Sequence, residues 1–127
     1  SSPCHAFQLS PSTTAEEVIR NQLVALQNDD MTTVYKFASP ANKERTGDVT
    51  RFAAMVRSGP YKHLVGHLRS VILLESTMAA SQQFLVRVTP KEYPKEGRVL
   101  DYWWSLSRCT GGEYDGSYMV DAVIPNQ

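Results

Sequence analysis

The sequence has few cysteines, no excess of either charge and no long apolar run, and each shortage argues against a class of protein. Two cysteines among 127 residues, Cys4 and Cys109, are too few for a disulfide-dense secreted scaffold, and free thiols are expected. Thirteen basic residues balance thirteen acidic ones, which argues against a domain that binds nucleic acid by neutralising phosphates. No apolar run approaches the ~18 residues that a transmembrane helix needs.

Motifs for metals, phosphates and covalent catalysis are also missing. His63 and His67 are four residues apart, but they follow Pro60 in a segment that reads as a strand. Four strand residues span ~13 Å, too far for two ligands of one metal, so the sequence predicts partly exposed histidines and no metal site. Cys109 has no CxxC partner, and the glycine pair at 111–112 lacks the lysine and the helix of a phosphate loop. No cofactor is expected.

The length fits one domain, with a short tail before it. Residues 1–12 are rich in serine and proline and predict a flexible tail, and residues 13–127 form the domain. Helical spacing predicts three helices. The first is capped by Ser12 or Thr13 and carries an inward stripe of Val18, Ile19, Gln22, Leu23 and Leu26. The second ends at the Ser39-Pro40 pair, and the third follows Gly47-Asp48.

After residue 60 the hydrophobic period changes from helical to alternating, which predicts strands. Four strands are expected, at 64–74, 82–89, 99–108 and 117–124. Three helices followed by a four-stranded antiparallel sheet predict an α+β fold, with the helices on one face of a curved sheet.

The two faces of this sheet differ in chemistry, because alternate residues of a strand point to opposite sides. The face predicted to form the core carries Leu100, Tyr102, Trp104 and Leu106. The outer face mixes apolar residues with charged and polar ones: Val65, Val71, Leu85, Val99, Trp103, Met119 and Val123, with His67, Arg87, Asp101 and Asp121. Arg87, Asp101 and Asp121 are therefore expected outside the core, unless a β-bulge reverses the phase of a strand.

The composition of this outer face is typical of a protein interface. Trp103 is the expected anchor, because tryptophan and arginine dominate the energetics of interfaces. The residues predicted to form the interface are Trp103, Met119, Val123, Leu85, Arg87 and Asp101. The predicted partners are other protein subunits or a second copy of the chain, and the sequence does not choose between them.

Five strings carry a resemblance to a known superfamily: Leu26-Gln27-Asn28-Asp29-Asp30, Phe37-Ala38-Ser39-Pro40-Ala41-Asn42, Phe52-Ala53-Ala54-Met55-Val56-Arg57, Tyr102-Trp103-Trp104-Ser105-Leu106-Ser107 and Tyr118-Met119-Val120-Asp121-Ala122-Val123. On these strings the chain resembles the nuclear transport factor two-like superfamily, which implies a cone-shaped α+β fold over about residues 13–124. It is most similar to uncharacterised plant, algal plastid and bacterial members. The resemblance implies a fold and not one function, since this superfold hosts isomerases, dehydratases, hydrolases, transport factors and structural subunits.

The first functional hypothesis is a non-catalytic protein-association domain, an accessory subunit or assembly factor of a larger complex. The resemblance to plastid members implies a chloroplast photosynthetic complex, with peripheral membrane association through that complex; a cytoplasmic location is the alternative. A chain beginning Ser1-Ser2-Pro3-Cys4 fits either a trimmed sequence or the mature product of a processed precursor.

The second hypothesis is a small protein that binds an apolar ligand, or an enzyme of the isomerase, dehydratase or hydrolase type, using the interior of the cone. The expected lining is Tyr35, Phe52, Met55, Tyr102 and Trp104, with Tyr102 as the polar group. No catalytic residue is assigned, because the charged residues of the strands are expected to face outward, and groups with perturbed pKa values require burial.

Overall fold

The computed structural model describes residues 9–92 and 97–126, which form helices packed on one face of a four-stranded antiparallel sheet. The helices are α1 (Ala15–Gln27), α2 (Met31–Lys36), α3 (Pro40–Thr46) and α4 (Val49–Val56), followed by the 3-10 helix Gly59–Leu64. The strands pair in chain order as β1 (Arg69–Met78), β2 (Ser81–Thr89), β3 (Leu100–Arg108) and β4 (Tyr118–Pro125). The predicted α+β class is confirmed. The tail predicted over residues 1–12 lies mostly outside the described residues.

The N-terminus of α1 is fixed by a capping box. The Thr14 hydroxyl accepts a hydrogen bond from the Glu17 N–H at 3.1 Å, and the Glu17 carboxylate accepts one from the Thr14 N–H at 2.8 Å. The expected caps, Ser12 and Thr13, are therefore wrong. The inward stripe of α1 is buried as predicted: Val18, Ile19, Gln22, Leu23 and Leu26.

The described residues contain four α-helices where the sequence predicts three. Ser39 caps α3 by accepting a hydrogen bond from the Asn42 N–H at 3.2 Å, and Pro40 occupies the first helical turn. Proline is tolerated there because the N–H groups of the first turn have no partner within the helix. The Ser39-Pro40 pair that ends α2 thus also begins α3. Gly47, with φ of 83°, separates α3 from α4.

The core lies between the helices and the inner face of the sheet. β2 and β3 supply six buried residues, Phe84, Val86, Val88, Tyr102, Trp104 and Leu106. The indole N–H of Trp104 donates to Gln22 Oε1 at 2.8 Å, and Gln22 Nε2 donates to the Val34 carbonyl at 2.9 Å. One buried side chain of α1 therefore links β3 to α2.

Two register shifts interrupt the outer strands. One lies in β1 between Ile72 and Leu74, and the other in β4, where Asp121 lacks a partner on β3. Beyond it, Val123 pairs with Trp104, and residues directly opposite each other share a face. The predicted outer position of Val123 is therefore wrong, because the bulge at Asp121 moves Val123 to the inner face.

β1 begins later than predicted, at Arg69. The 3-10 helix takes up residues 59–64, and Val65 then packs against the core, so its predicted place on the outer face is wrong. The segment 75–80, expected to be a loop, is strand up to Met78, which pairs with Ser81. Ala79 and Ala80 alone connect the two strands, with Ala79 at φ of 53°.

Candidate functional site

The outer face of the sheet carries one apolar row that crosses all four strands. The register places Leu74 opposite Leu85, Leu85 opposite Trp103, and Trp103 opposite Ile124. Directly opposed residues have Cβ atoms ~5 Å apart, so the four side chains form a continuous stripe, here called the apolar stripe. Leu74 and Ile124 at its ends are 57% and 56% exposed, and Leu85 near its middle is 8% exposed.

The structure therefore brings together two residues of the predicted interface, Trp103 and Leu85, and adds two that the sequence reading missed. Strict alternation would place both residues on the inner face, but each follows a register shift that reverses the alternation. A run of apolar residues on both faces of a strand, as in Ile72-Leu73-Leu74, is the signal that such a shift leaves in the sequence.

Next to the apolar stripe lies an ion pair, which carries no net charge. Arg87 pairs with Asp101 across β2 and β3, and its guanidinium donates to both carboxylate oxygens, at 2.9 Å from Nε and 3.1 Å from Nη2. The hydrogen bond to Asp101 and the charge of its carboxylate raise the pKa of Arg87. The pair lies outside the core, as predicted. An exposed ion pair adds little stability, but it leaves this part of the face without net charge.

Asp121 and Met119 stand apart from that pair. The Asp121 carboxylate accepts a hydrogen bond from the Ser107 hydroxyl at 2.6 Å, and its main-chain carbonyl accepts one from Arg45 Nη2 at 2.6 Å. Arg87, Asp101 and Asp121 do not form one cluster. Met119 pairs with Ser107 on the outer face but is 1% exposed, so its side chain is buried without being part of the main core.

On the inner face, a cavity of about 360 Å³ lies between the helices and strands β3 and β4. Three of the five residues predicted to line such a pocket do so: Phe52, Met55 and Trp104. The predicted outer residue Val123 also lines it, through the bulge in β4. Tyr35 and Tyr102 are absent from the lining.

The two tyrosines are used by the fold instead. The Tyr102 hydroxyl donates to the Pro60 carbonyl at 2.7 Å, and the Tyr35 hydroxyl donates to the Gly47 carbonyl at 2.8 Å. Burial, with a contribution from Tyr61, raises the pKa of Tyr102 to about 12, so its phenol stays protonated at neutral pH. The expectation that Tyr102 is the polar group of the pocket is therefore wrong, because its hydroxyl is bonded outside the cavity.

The comparison with known families gives one result. The family described as a domain of unknown function (DUF4864) matches residues 9–103, more than half of the chain. The chain belongs to this family. The match ends within β3, so β4 lies beyond it. Neither the comparison with curated proteins nor the comparison with solved structures finds a match.

The histidines of this DUF4864 domain are placed differently from each other. His63 is partly exposed, as predicted, but it lies in the 3-10 helix and not in the expected strand. His67 is 2% exposed and lies before β1, so its predicted exposure and its place on the outer face are both wrong. Its Nδ1 lies 2.8 Å from the Leu64 carbonyl, and its Nε2 is buried without a hydrogen-bond partner. Burial lowers the pKa of His67.

Cys109, which lies beyond the matched residues, forms no disulfide with any described residue, and Cys4 lies outside the described residues. Residues 9–92 and 97–126 contain no group of three or more histidine, cysteine or acidic side chains placed to hold a metal ion. No helix in the same ranges is both long and apolar enough to cross a membrane.

Proposed function

We propose that this DUF4864 domain is a nuclear transport factor two-like, non-catalytic protein-association domain that binds through the outer face of its sheet. The observation that carries the proposal is the apolar stripe of Leu74, Leu85, Trp103 and Ile124. Helices cover the inner face, whereas the two ends of the stripe stay more than half exposed. Leu85 itself is buried, so Leu74, Trp103 and Ile124 supply the exposed apolar surface of the stripe. Apolar residues grouped in this way on one face are typical of an interaction site.

The partner that this face fits best is a second copy of the chain. A two-fold interface uses the same patch on both subunits, so the patch must be complementary to itself. The apolar stripe meets this condition, since apolar side chains pack on one another. The Arg87–Asp101 pair meets it as well, because two such neutral pairs do not repel each other.

The size of the face also suits a dimer. Four strands at ~4.8 Å spacing and about nine residues at ~3.3 Å each give a face of roughly 20 Å by 30 Å. Stable interfaces bury ~800 Å² of accessible surface on each partner. Side-chain relief adds to the projected area, so most of this face must take part in the contact.

The test is the mass of the chain in solution, measured by light scattering or sedimentation. The wild type is expected at twice 14.2 kDa. Leu74→Lys is expected to weaken the dimer at least tenfold, because a lysine ammonium enclosed by the contact at this end of the apolar stripe loses its hydration. Trp103→Ala is expected to weaken it about thirtyfold, as the loss of an aromatic anchor does.

Val24→Lys is the matched control, because Val24 is 56% exposed on α1, away from the sheet. It is expected to leave the dimer unchanged. A wild type that stays at 14.2 kDa at every concentration contradicts the proposed second copy. Native mass spectrometry on material from the source would then identify a different subunit, such as one of the larger chloroplast complex implied by the resemblance, if one occupies the face.

A further inference from the structure

The inner cavity has an apolar floor and one cationic side chain at its opening. Its floor consists of buried residues, among them Leu26, Val34, Phe52, Val56, Trp104 and Val120. Three exposed residues of the lining, Arg45, Met55 and Ile124, mark the rim. The cavity thus runs from solvent into the core.

The polar side chains of the lining are already bonded to the protein. Both ends of the Gln22 amide are paired, to Trp104 and to Val34. The Tyr61 hydroxyl donates to the Val123 carbonyl at 2.8 Å, and the Thr46 hydroxyl donates to the Asn42 carbonyl at 2.9 Å. A molecule inside the cavity therefore meets mainly apolar surface, and an apolar body suits it.

Arg45 differs from these groups because most of its donors remain available. Its Nη2 donates to the Asp121 main-chain carbonyl at 2.6 Å, which holds the guanidinium beside β4. A guanidinium has five N–H donors, and Arg45 forms no ion pair with any described residue. No described residue of the lining is an aspartate, a glutamate or a histidine. The rim therefore offers a positive charge held beside β4, with no carboxylate among the described residues of the lining.

We propose that this cavity binds a monocarboxylate with an apolar body, whose carboxylate pairs with Arg45. A planar guanidinium binds a carboxylate through two parallel hydrogen bonds, and an arginine held by the backbone loses less entropy in doing so. At ~30 Å³ for each water-sized group, the cavity holds on the order of a dozen non-hydrogen atoms. Decanoate has this size. The floor of the cavity lies on the opposite side of the sheet from the apolar stripe, and only Ile124, at one end of the stripe, also belongs to the rim. The inference does not rest on the proposed dimer.

The test is calorimetric titration of the full chain with sodium decanoate and with decanol, which has the same body and no charge. The wild type is expected to bind decanoate about tenfold more tightly than decanol, as a charge-assisted hydrogen bond implies. Arg45→Gln is expected to lose this preference while its affinity for decanol stays the same. Arg69→Gln, an exposed arginine at the start of β1 that does not line the cavity, is expected to behave as the wild type.

A second variant tests the place of binding. Thr46→Phe adds an aromatic ring at the partly exposed rim. It is expected to weaken the binding of both decanoate and decanol at least tenfold, while circular dichroism confirms that the fold is intact. Three outcomes overturn the proposal: no binding of decanoate to the wild type, equal binding of decanoate and decanol, or an Arg45→Gln variant that keeps its preference for decanoate. Decanoate affinity unchanged in both Arg45→Gln and Thr46→Phe means that decanoate binds elsewhere.

Discussion

His67 is a buried imidazole whose two nitrogens have different surroundings. Because the Leu64 carbonyl can only accept, Nδ1 carries the proton that bonds to it at 2.8 Å. Nε2 is then the unprotonated nitrogen, and it lies buried with no hydrogen-bond partner. Protonation of Nε2 would place a charge and an unpaired N–H in the interior, which is why burial lowers the pKa of this side chain.

This arrangement makes the stability of the protein depend on pH. In the unfolded chain the pKa of His67 is about 6.5, and it is lower in the folded one. The unfolded state therefore binds more protons as the pH falls below about 6.5, and the free energy of unfolding decreases in that range. Urea unfolding at pH 7.5 and at pH 5 is expected to show this loss in the wild type and a smaller one in His67→Asn. An equal loss in both proteins contradicts the assignment of this effect to His67. His63→Gln serves as the control, because His63 is a partly exposed histidine.

The sequence correctly predicts the face that a side chain occupies where a strand is regular, and the prediction is wrong where a register shift interrupts the strand. Alternation along 99–108 correctly separated Tyr102 and Trp104 from Trp103, because β3 is continuous. It failed for Val123, because one unpaired residue in β4 reverses every later side chain. Nothing in the alternating pattern of β4 marks Asp121 as the unpaired residue.

At the scale of the elements, the helical layer was harder to predict than the sheet. The strands at 82–89 and 99–108 agree with β2 and β3 to within one residue at each end. The missing helix, α3, has no buried residue, so it produces no hydrophobic stripe by which a helix is normally detected. Its only local signal is the serine and proline at its start, and the same pair also reads as the end of α2.

The capping box of α1 gives the prediction at this scale. Thr14→Ala removes the acceptor for the Glu17 N–H and is expected to lower the free energy of unfolding by about 1 kcal/mol. Thr14→Ser keeps the hydroxyl and is expected to stay close to the wild type. Chemical denaturation of the three proteins provides the measurement. A loss in the serine variant as large as in the alanine variant would show that the Thr14 methyl group matters more than the cap.

At the scale of the whole molecule, the fold class followed from the order of the periodicities, helical before residue 60 and alternating after it. The cavity did not follow, because its shape depends on how α3, α4 and the bulged end of β4 meet. Two of its five predicted residues were wrong for a related reason. Tyr35 and Tyr102 each combine an apolar ring, which suits the interior, with a hydroxyl that needs a hydrogen-bond partner. The sequence does not show that the partners of these hydroxyls are the backbone carbonyls of Gly47 and Pro60.

β4 completes the core and the sheet, although the family match ends before it. It supplies the buried residues Met119 and Val120, and its pairing with β3 places Val123 beside Trp104. A chain truncated after Arg108 is therefore expected to lose cooperative thermal unfolding, because the main core and one edge of β3 become exposed. Differential scanning calorimetry of the truncated and full chains measures this. A sharp transition in the truncated chain contradicts the expectation.

The adjacent tryptophans of β3 also give the molecule two optical reporters joined by a single peptide bond. Trp104 is fully buried and lines the cavity, while Trp103 lies half-buried in the outer row. Because they are the only two tryptophans of the chain, replacing either one by phenylalanine leaves an emission spectrum that belongs to one side of the sheet. Events in the interior and events on the exterior can thus be followed separately in the same protein, without any attached dye.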